Sequence, residues 1–251
     1  MSIDLLSSFI PGVVSHVASD FRISFDDAVR WTEVLLGFAF AQQSLEYIKS
    51  IDRARTFFVV RFILATLLFL GFQTTWVLLV LFVMALMMLH RFQGPYNGGS
   101  DRIGLLVLCC LCLAHVAPTQ YWREVAFGYL ALQTVLSYFM SGWVKVVNSE
   151  WRSGQALSDV FQFSAYPVSE SLRGWAKSPR ILLLMSWVVI IFELVFPLSI
   201  LSSSSLIIAL VIATSFHLSN ALFFGLNRFF WIWIAAYPSI LWFQQRIFVT
   251  L

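Results

Sequence analysis

The sequence predicts an all-α integral membrane protein, a polytopic bundle of about eight transmembrane helices with an interfacial segment near residues 150–178. Of the 251 residues, 59% are hydrophobic and only 12% are charged, and the mean hydropathy is +0.82. Soluble domains carry roughly twice that share of charge, about 25%. The apolar runs are also long enough to cross about 30 Å of hydrocarbon as helices. Their continuity favours helices over the short alternating segments of a membrane barrel.

The first three predicted spans lie between residues 31 and 92. Residues 31–50 form the weakest span because they include several polar side chains, but Ser24 and Asp27 have the spacing of a helix-capping box. The apolar run 57–92 would be about 54 Å long as one helix, too long for one crossing, so we expect a break at residues 71–75. Seven spans result if the first segment only lies in the interface.

Five further spans are predicted in the rest of the chain. They are residues 103–122, 125–144, 181–201, 206–225 and 229–245. Pro118, Thr119 and Gln120 separate the first two, and a run of four serines at 202–205 is expected to form a loop. The whole chain, 1–251, is therefore interpreted as a single transmembrane domain, with an extramembrane or interfacial segment at 1–30 and the helical bundle at 31–251. Basic residues concentrate in alternate loops, which places those loops in the cytoplasm.

Composition also argues against several classes of function. The net charge is only +3 and no basic stripe is present, so nucleic-acid binding is not expected. Cys109, Cys110 and Cys112 lie in one apolar run without a partner at metal-ligand spacing. We therefore expect small buried side chains at these positions and no metal site.

Ionisable residues inside membrane spans are candidates for a functional site, because burying them without a role is costly. Glu193 lies about midway along its apolar run, where pairing with another helix and catalysis are equally consistent with the sequence. His217 and Asn220 share one helix face and either hold a polar ligand or bridge two helices. Lys145 ends its span and is either a snorkelling residue or a desolvated base.

A tight polar turn at residues 95–102 contributes two more candidates, Asn97 and Asp101. Its glycines permit positive φ angles and its end can cap the next helix. Such a turn can bind an anion at the helix N-terminus, or it can simply connect two helices.

Three blocks of sequence resemble the vitamin K-dependent γ-carboxylase superfamily, whose bacterial branch is the HTTM family. The resemblance covers about residues 95–245. The blocks are Tyr-Asn-Gly-Gly-Ser-Asp-Arg-Ile-Gly-Leu-Leu from Tyr96, Tyr-Phe-Met-Ser-Gly-Trp-Val-Lys from Tyr138 with Glu-Trp-Arg-Ser-Gly-Gln-Ala-Leu from Glu150, and Phe-His-Leu-Ser-Asn from Phe216 running on to Ala-Ala-Tyr-Pro from Ala235. Glu193, followed by Phe196 and Pro197, also matches a family pattern.

The resemblance implies that Lys145 is the base that deprotonates a reduced quinone and that His217 is the second catalytic residue. It further implies that Asn220, Glu193 and Trp151, with Asn97 and Asp101 of the first block, bind the substrate or a lipid. Gly99 stands where the family has a further catalytic histidine. The carboxylase's extramembrane substrate-binding region is also missing from the sequence, so we do not expect this chain to carboxylate protein glutamates by itself.

Three hypotheses of function follow. The first is a membrane-embedded enzyme that acts on a quinone or another lipid-soluble substrate, with a quinone or bound lipid as the implied ligand. The second is a non-catalytic membrane subunit, scaffold or assembly factor, whose partners are membrane lipids and other membrane protein subunits. A transporter ranks last because no pair of repeats with matching broken helices is present. By the resemblance, we expect a multi-pass protein of the bacterial inner membrane.

Overall fold

The computed structural model describes residues 22–50, 55–91, 98–163 and 170–248. Within these ranges the chain is helical and contains no strand. Its helices are α1 (Phe25–Ser50), α2 (Arg55–Leu70), α3 (Thr74–Arg91), α4 (Gly98–Val116), α5 (Gln120–Val147), α6 (Ser149–Arg152), α7 (Gln155–Phe163), α8 (Glu170–Arg173), α9 (Pro179–Val195), α10 (Ser203–Phe224) and α11 (Asn227–Phe248). Two 3₁₀ segments, Gly174–Lys177 and Phe196–Leu201, precede and follow α9.

In the described part of the chain, four helical segments are long and apolar enough to cross a membrane, namely Gly99–Val116, Gln120–Val147, Pro179–Leu201 and Ser203–Phe224. Thr74–His90 is apolar but shorter. The other predicted spans coincide with α1, α2 and α11, so eight spans remain a prediction. The reason is visible in α2, whose 16 residues reach about 24 Å at 1.5 Å each, less than the hydrocarbon thickness.

Local sequence signals account for most helix ends. The helix start predicted at Ser24 is confirmed, because the Ser24 hydroxyl caps α1 by accepting a hydrogen bond from the Asp27 amide at 3.1 Å, and it donates to the Asp27 carboxylate at 2.6 Å. The break predicted at 71–75 is also confirmed: Gly71 has a φ of 82° between α2 and α3. The interruption around Pro118 separates α4 from α5 as predicted.

The serine run at 202–205 was wrongly predicted to be a loop. Only Ser202 lies outside α10, and its hydroxyl caps the helix by accepting a hydrogen bond from the Ser205 amide at 3.2 Å. Serine is a preferred N-cap residue, so a serine run before an apolar run starts a helix. The capped helix therefore includes the rest of the run.

The helices pack around a shared apolar core. α1 packs against α2 and α11, while α5 packs against α4, α9 and α11. α10 ends at a tight turn at Gly225, whose φ of 68° lets the chain reverse, so that α10 packs along α11. The segment predicted to lie in the interface forms α6, α7, α8 and a 3₁₀ turn, and α6 and α7 pack against α9. Of the predicted extramembrane or interfacial segment 1–30, residues 1–21 lie outside the described residues, and α1 already begins at Phe25, before the predicted start of the bundle at residue 31.

Candidate functional site

An ion pair between Lys145 of α5 and Glu193 of α9 lies inside the bundle. The Lys145 Nζ atom is 2.8 and 2.6 Å from the two carboxylate oxygens of Glu193. It also donates to the Ser141 hydroxyl at 2.6 Å, and that hydroxyl donates to Glu193 at 3.1 Å. The Lys145 side chain is 14% exposed and that of Glu193 is 4% exposed. The charges therefore neutralise each other in a place where water contributes little.

Gly142 allows α5 and α9 to approach closely enough for this pair to form. A Cβ atom at this position would lie 2.8 Å from the backbone nitrogen of Leu194 and 3.0 Å from the Cβ atom of Glu193. Real Cβ atoms do not approach a backbone that closely, so any larger residue would separate the helices. Small residues at close crossings are typical of membrane helix interfaces.

The short helix α6 folds back over the pair. The Trp151 ring lies 5.2 Å from the Lys145 Nζ atom, a cation–π distance. The Ser186 hydroxyl of α9 donates to the Trp151 carbonyl and holds this turn in place. The α6–α7 segment thus covers the ion pair with an aromatic side chain and adds apolar wall around it.

His217 of α10 forms a second polar centre beside the first. Its Nε2 atom lies 2.7 Å from the Tyr138 hydroxyl, which in turn lies 2.8 Å from the Tyr237 hydroxyl. The imidazole stacks on Trp233 at a centroid distance of 5.0 Å and meets the Phe229 ring at 5.3 Å. The side chain is buried, and its Nδ1 atom has no hydrogen-bond partner among the residues that the structure describes. A buried polar atom without a partner calls for an explanation, and a bound ligand is one.

Both centres line one cavity of about 360 Å³ between α5, α9, α10 and α11, with α6 and α7 on one side. Its polar lining comes from Ser137, Tyr138, Ser141, Lys145, Glu193, His217 and Asn220. The remaining lining is apolar or aromatic: Trp151, Leu157, Val160, Val189, Phe216, Phe224, Leu226, Phe229 and Trp233. An apolar wall with a few convergent polar groups is the usual character of a small-molecule site.

This arrangement can bind a polar ring and move a proton. The ammonium and carboxylate are in direct contact, so one proton can pass from Lys145 to Glu193 without leaving the site. His217 can donate or accept at its unpartnered Nδ1 atom, depending on its tautomer. The aromatic walls keep water away, which strengthens each of these interactions.

Five of the seven predicted site residues line this one cavity: Lys145, Trp151, Glu193, His217 and Asn220. Asp101 does not join them, since its carboxylate accepts from Gln43 at 3.3 Å and faces the buried Arg61 beside Phe40. Asn97 lies outside the described residues. The roles of all seven in binding or catalysis remain predictions.

Gly99 lies next to the cavity although it does not line it. A Cβ atom at residue 99 would come within 2.7 Å of the Phe229 ring. The ring that covers His217 therefore occupies the space into which a longer side chain at 99 would extend.

Three hydroxyl groups of α5 that were not predicted as site residues also line the cavity, those of Ser137, Tyr138 and Ser141. Tyr138, Ser141 and Lys145 are spaced i, i+3 and i+7, so they share one face of α5, and this periodicity was available in the sequence. Tyr138 and Ser141 belong to the second block that resembles the family and Tyr237 to the third, but none of them was predicted as a site residue. No local signal relates Tyr237 to Tyr138, which lies 99 residues away.

A second polar cluster lies away from this cavity. Glu33 of α1 pairs with His115 of α4 at 2.5 Å and with Arg30 at 2.9 Å. Arg30 also donates to the carbonyls of Leu68 and Phe69 at the end of α2. The last carbonyl groups of a helix have no hydrogen-bond partner within it, and Arg30 supplies donors to two of them in α2. The cluster therefore has a structural explanation of its own.

Comparison with known proteins gives one match. A family model described as the HTTM domain matches residues 115–245, just over half of the chain. The matched range includes every residue that lines the cavity. No curated protein and no solved structure matches the chain.

Proposed function

The chain belongs to the HTTM domain family, and from this premise we propose that it is a membrane-embedded enzyme acting on a quinone or another lipid-soluble substrate. The observation that carries the proposal is the cavity, in which an ion pair and a histidine with an unpartnered nitrogen face the same space. We further propose a multi-pass location in the bacterial inner membrane, from which such a substrate would enter.

The cavity favours a small polar ring carried on an apolar molecule. Its volume of about 360 Å³ accommodates a ring-sized head group, and its walls are mostly aromatic or aliphatic. Trp233 and Phe229 offer ring faces, while Asn220 and Ser137 offer hydrogen bonds at the margin. A water-soluble charged substrate would have to abandon its hydration to enter such a space.

Lys145 acts as the base in this proposal, with Glu193 as the group that accepts its resting proton. In the resting pair the ammonium and the carboxylate neutralise each other. Transfer of one proton from Nζ to Glu193 gives a neutral amine beside a neutral carboxylic acid. The amine then takes the proton of a substrate hydroxyl, and the resulting ammonium stabilises the substrate oxyanion. With the bound substrate included, the net charge of the site is zero both before and after the transfer, because the proton lost by the substrate hydroxyl is balanced by the proton held on Glu193.

The ion pair also favours a second candidate function, a non-catalytic membrane subunit. Lys145, Glu193 and Ser141 satisfy one another fully, as polar groups that only join helices would. In that case the pair would stabilise α5 against α9 for assembly with another membrane protein, and no small molecule would need to enter the cavity.

A photoreactive benzoquinone with an isoprenoid tail, added to the protein in lipid nanodiscs, tests the first proposal. We expect saturable labelling of peptides from α5, α10 or α11 that line the cavity, mapped by mass spectrometry. Lys145→Met and His217→Phe should reduce this labelling at least tenfold. Lys177→Met, a change at an exposed lysine outside the cavity, is the matched control and should label as wild type.

Two results would overturn the enzyme proposal. One is labelling spread over lipid-facing residues with no saturation. The other is saturable labelling that Lys145→Met and His217→Phe leave unchanged while both variants keep their helical circular dichroism. Co-purification of a stoichiometric membrane protein lost in Lys145→Met, without quinone labelling, would support the subunit instead.

A further inference from the structure

We propose that Trp233 determines part of the specificity of the cavity, because its indole N–H donates a hydrogen bond to an oxygen atom of the bound molecule. This inference rests on the proposed function, a lipid-soluble substrate in this cavity. It adds the chemical feature that the substrate must carry, an oxygen that accepts a hydrogen bond.

Trp233 lies on α11 with its ring enclosed by other aromatic side chains. It stacks on His217 at a centroid distance of 5.0 Å and an angle of 25° between the ring planes. It meets the Tyr138 ring edge-to-face at 4.8 Å and the Phe229 ring at 5.6 Å. The residue is 7% exposed and lines the cavity. These contacts fix the plane of the indole ring.

The indole nitrogen of Trp233 is a donor without an acceptor. Its Nε1 atom is buried and has no hydrogen-bond partner in the described part of the chain. An indole nitrogen carries its proton at all times and can only donate, so no choice of tautomer is involved. Buried tryptophans usually find a partner for this N–H group, because leaving it unpaired costs free energy.

The aromatic neighbours of Trp233 do not supply the missing acceptor. The His217 Nδ1 atom also has no partner among the described residues, but the two rings are stacked. The indole N–H lies in the plane of its own ring, so it cannot point at a lone pair in the plane of an imidazole stacked on it. The Tyr138 and Phe229 rings offer only π faces, which are weak acceptors.

The missing acceptor therefore has to come from outside the chain. A water molecule can fill this role while no ligand is bound. A ligand that displaces such a water gains affinity only if it makes the same hydrogen bond. A carbonyl, ether or hydroxyl oxygen on the substrate ring makes this bond, whereas a hydrocarbon ring or chain does not. The cavity is thus suited to an oxygen-bearing head group and not to a lipid tail.

Nitrogen-15 NMR of tryptophan-labelled protein in nanodiscs tests the hydrogen bond directly. The chain has 10 tryptophans, and the signal of Trp233 is identified as the one lost in Trp233→Phe. We expect its indole proton to shift downfield when a benzoquinone with an isoprenoid tail is added. The phenyl compound with the same tail should not cause this shift. Trp122→Phe changes an exposed tryptophan outside the cavity and is the matched control, which should leave the Trp233 response unchanged.

Binding of the same two compounds separates hydrogen bonding from packing. Trp233 is replaced by 3-benzothienylalanine, in which a sulfur atom takes the place of the N–H group and the shape of the ring is kept. This protein should bind the quinone about tenfold more weakly than the wild type, the size of one hydrogen bond. Its affinity for the phenyl compound should be unchanged. If Trp233 only packed the cavity wall, the affinities for both compounds would change together or not at all.

Two results would overturn the inference while the proposed function stands. One is a Trp233 signal that does not move although the quinone saturably occupies the cavity. The other is a 3-benzothienylalanine protein that binds the quinone as tightly as the wild type or loses affinity for both compounds equally. If neither compound binds saturably, the proposed function fails, and this inference fails with it.

Discussion

The ion pair between Lys145 and Glu193 should contribute several kcal/mol to the stability of the bundle. Lys145→Met keeps much of the side-chain volume. It leaves the buried Glu193 carboxylate with the Ser141 hydroxyl as its remaining hydrogen-bond donor. Removing one partner of a buried ion pair costs about 3–5 kcal/mol. Because the Lys145 side chain is 14% exposed, we expect the lower end, about 3 kcal/mol, for Lys145→Met and for Glu193→Leu.

The double variant should behave differently from the sum of the two single variants. With both charges gone, α5 and α9 meet through apolar side chains, and a buried pair replaced in this way is commonly neutral or stabilising. We therefore expect the Lys145→Met, Glu193→Leu protein to lie within about 1 kcal/mol of the wild-type free energy of unfolding.

Reversible unfolding in mixed detergent and SDS micelles, followed by far-ultraviolet circular dichroism, measures all four proteins on one scale. Lys177→Met serves as the control for removing a lysine charge at an exposed position. Costs that simply add in the double variant would refute the reasoning, because two groups that do not interact show no coupling.

Three other changes probe the packing around the site and elsewhere in the bundle. Gly142→Ala should lower the free energy of unfolding by about 1–3 kcal/mol, since the added carbon would lie 2.8 Å from a backbone nitrogen of α9. Gly174→Ala is its control because a Cβ there meets nothing within 4 Å, and an equal loss in both would contradict the argument. Ser24→Ala should cost about 1 kcal/mol through the lost cap of α1, measured in the same titration; no change would show that the cap does not contribute. Glu33→Gln should destabilise the bundle by about 1–3 kcal/mol through its lost charged hydrogen bonds while leaving quinone labelling unchanged, and reduced labelling would link the two polar clusters.

The helices that could be predicted from the sequence are those determined by local patterns. The break at Gly71, the separation at Pro118 and the cap at Ser24 each depend on a few neighbouring residues, so the sequence predicts them. The serine run was misjudged because the same residues favour a loop and a helix start, and the apolar run that follows decides between them.

Whether every long helix crosses the membrane was harder to predict. α1 carries Glu33, Gln43 and Glu46, and two of these are buried against other helices rather than exposed to lipid. A mean hydropathy value depends only on which residues a segment contains, and not on whether a polar side chain faces lipid or another helix. The structure places Gln43 against Asp101 and Glu46 against Arg228, contacts between helices far apart in sequence.

The candidate site was predictable as a set of residues and not as an arrangement. Scarce polar groups inside apolar runs singled out Lys145, Glu193 and His217, because any such group is costly in a membrane. The sequence left open whether Glu193 pairs with another helix and whether Lys145 snorkels to the interface. The structure shows the two paired with each other.

By itself, the sequence determined that this chain is an apolar helical protein and which of its polar residues required an explanation. These are properties of composition and of short segments, and they do not depend on how helices are arranged. Only the tertiary structure decided that residues 138, 145, 193 and 217 meet around one cavity, with residue 237 hydrogen-bonded to residue 138. Their partners are separated by tens of residues along the chain, and their contact depends on how closely α5 and α9 cross at Gly142 and on the turn at Gly225 that lays α10 along α11.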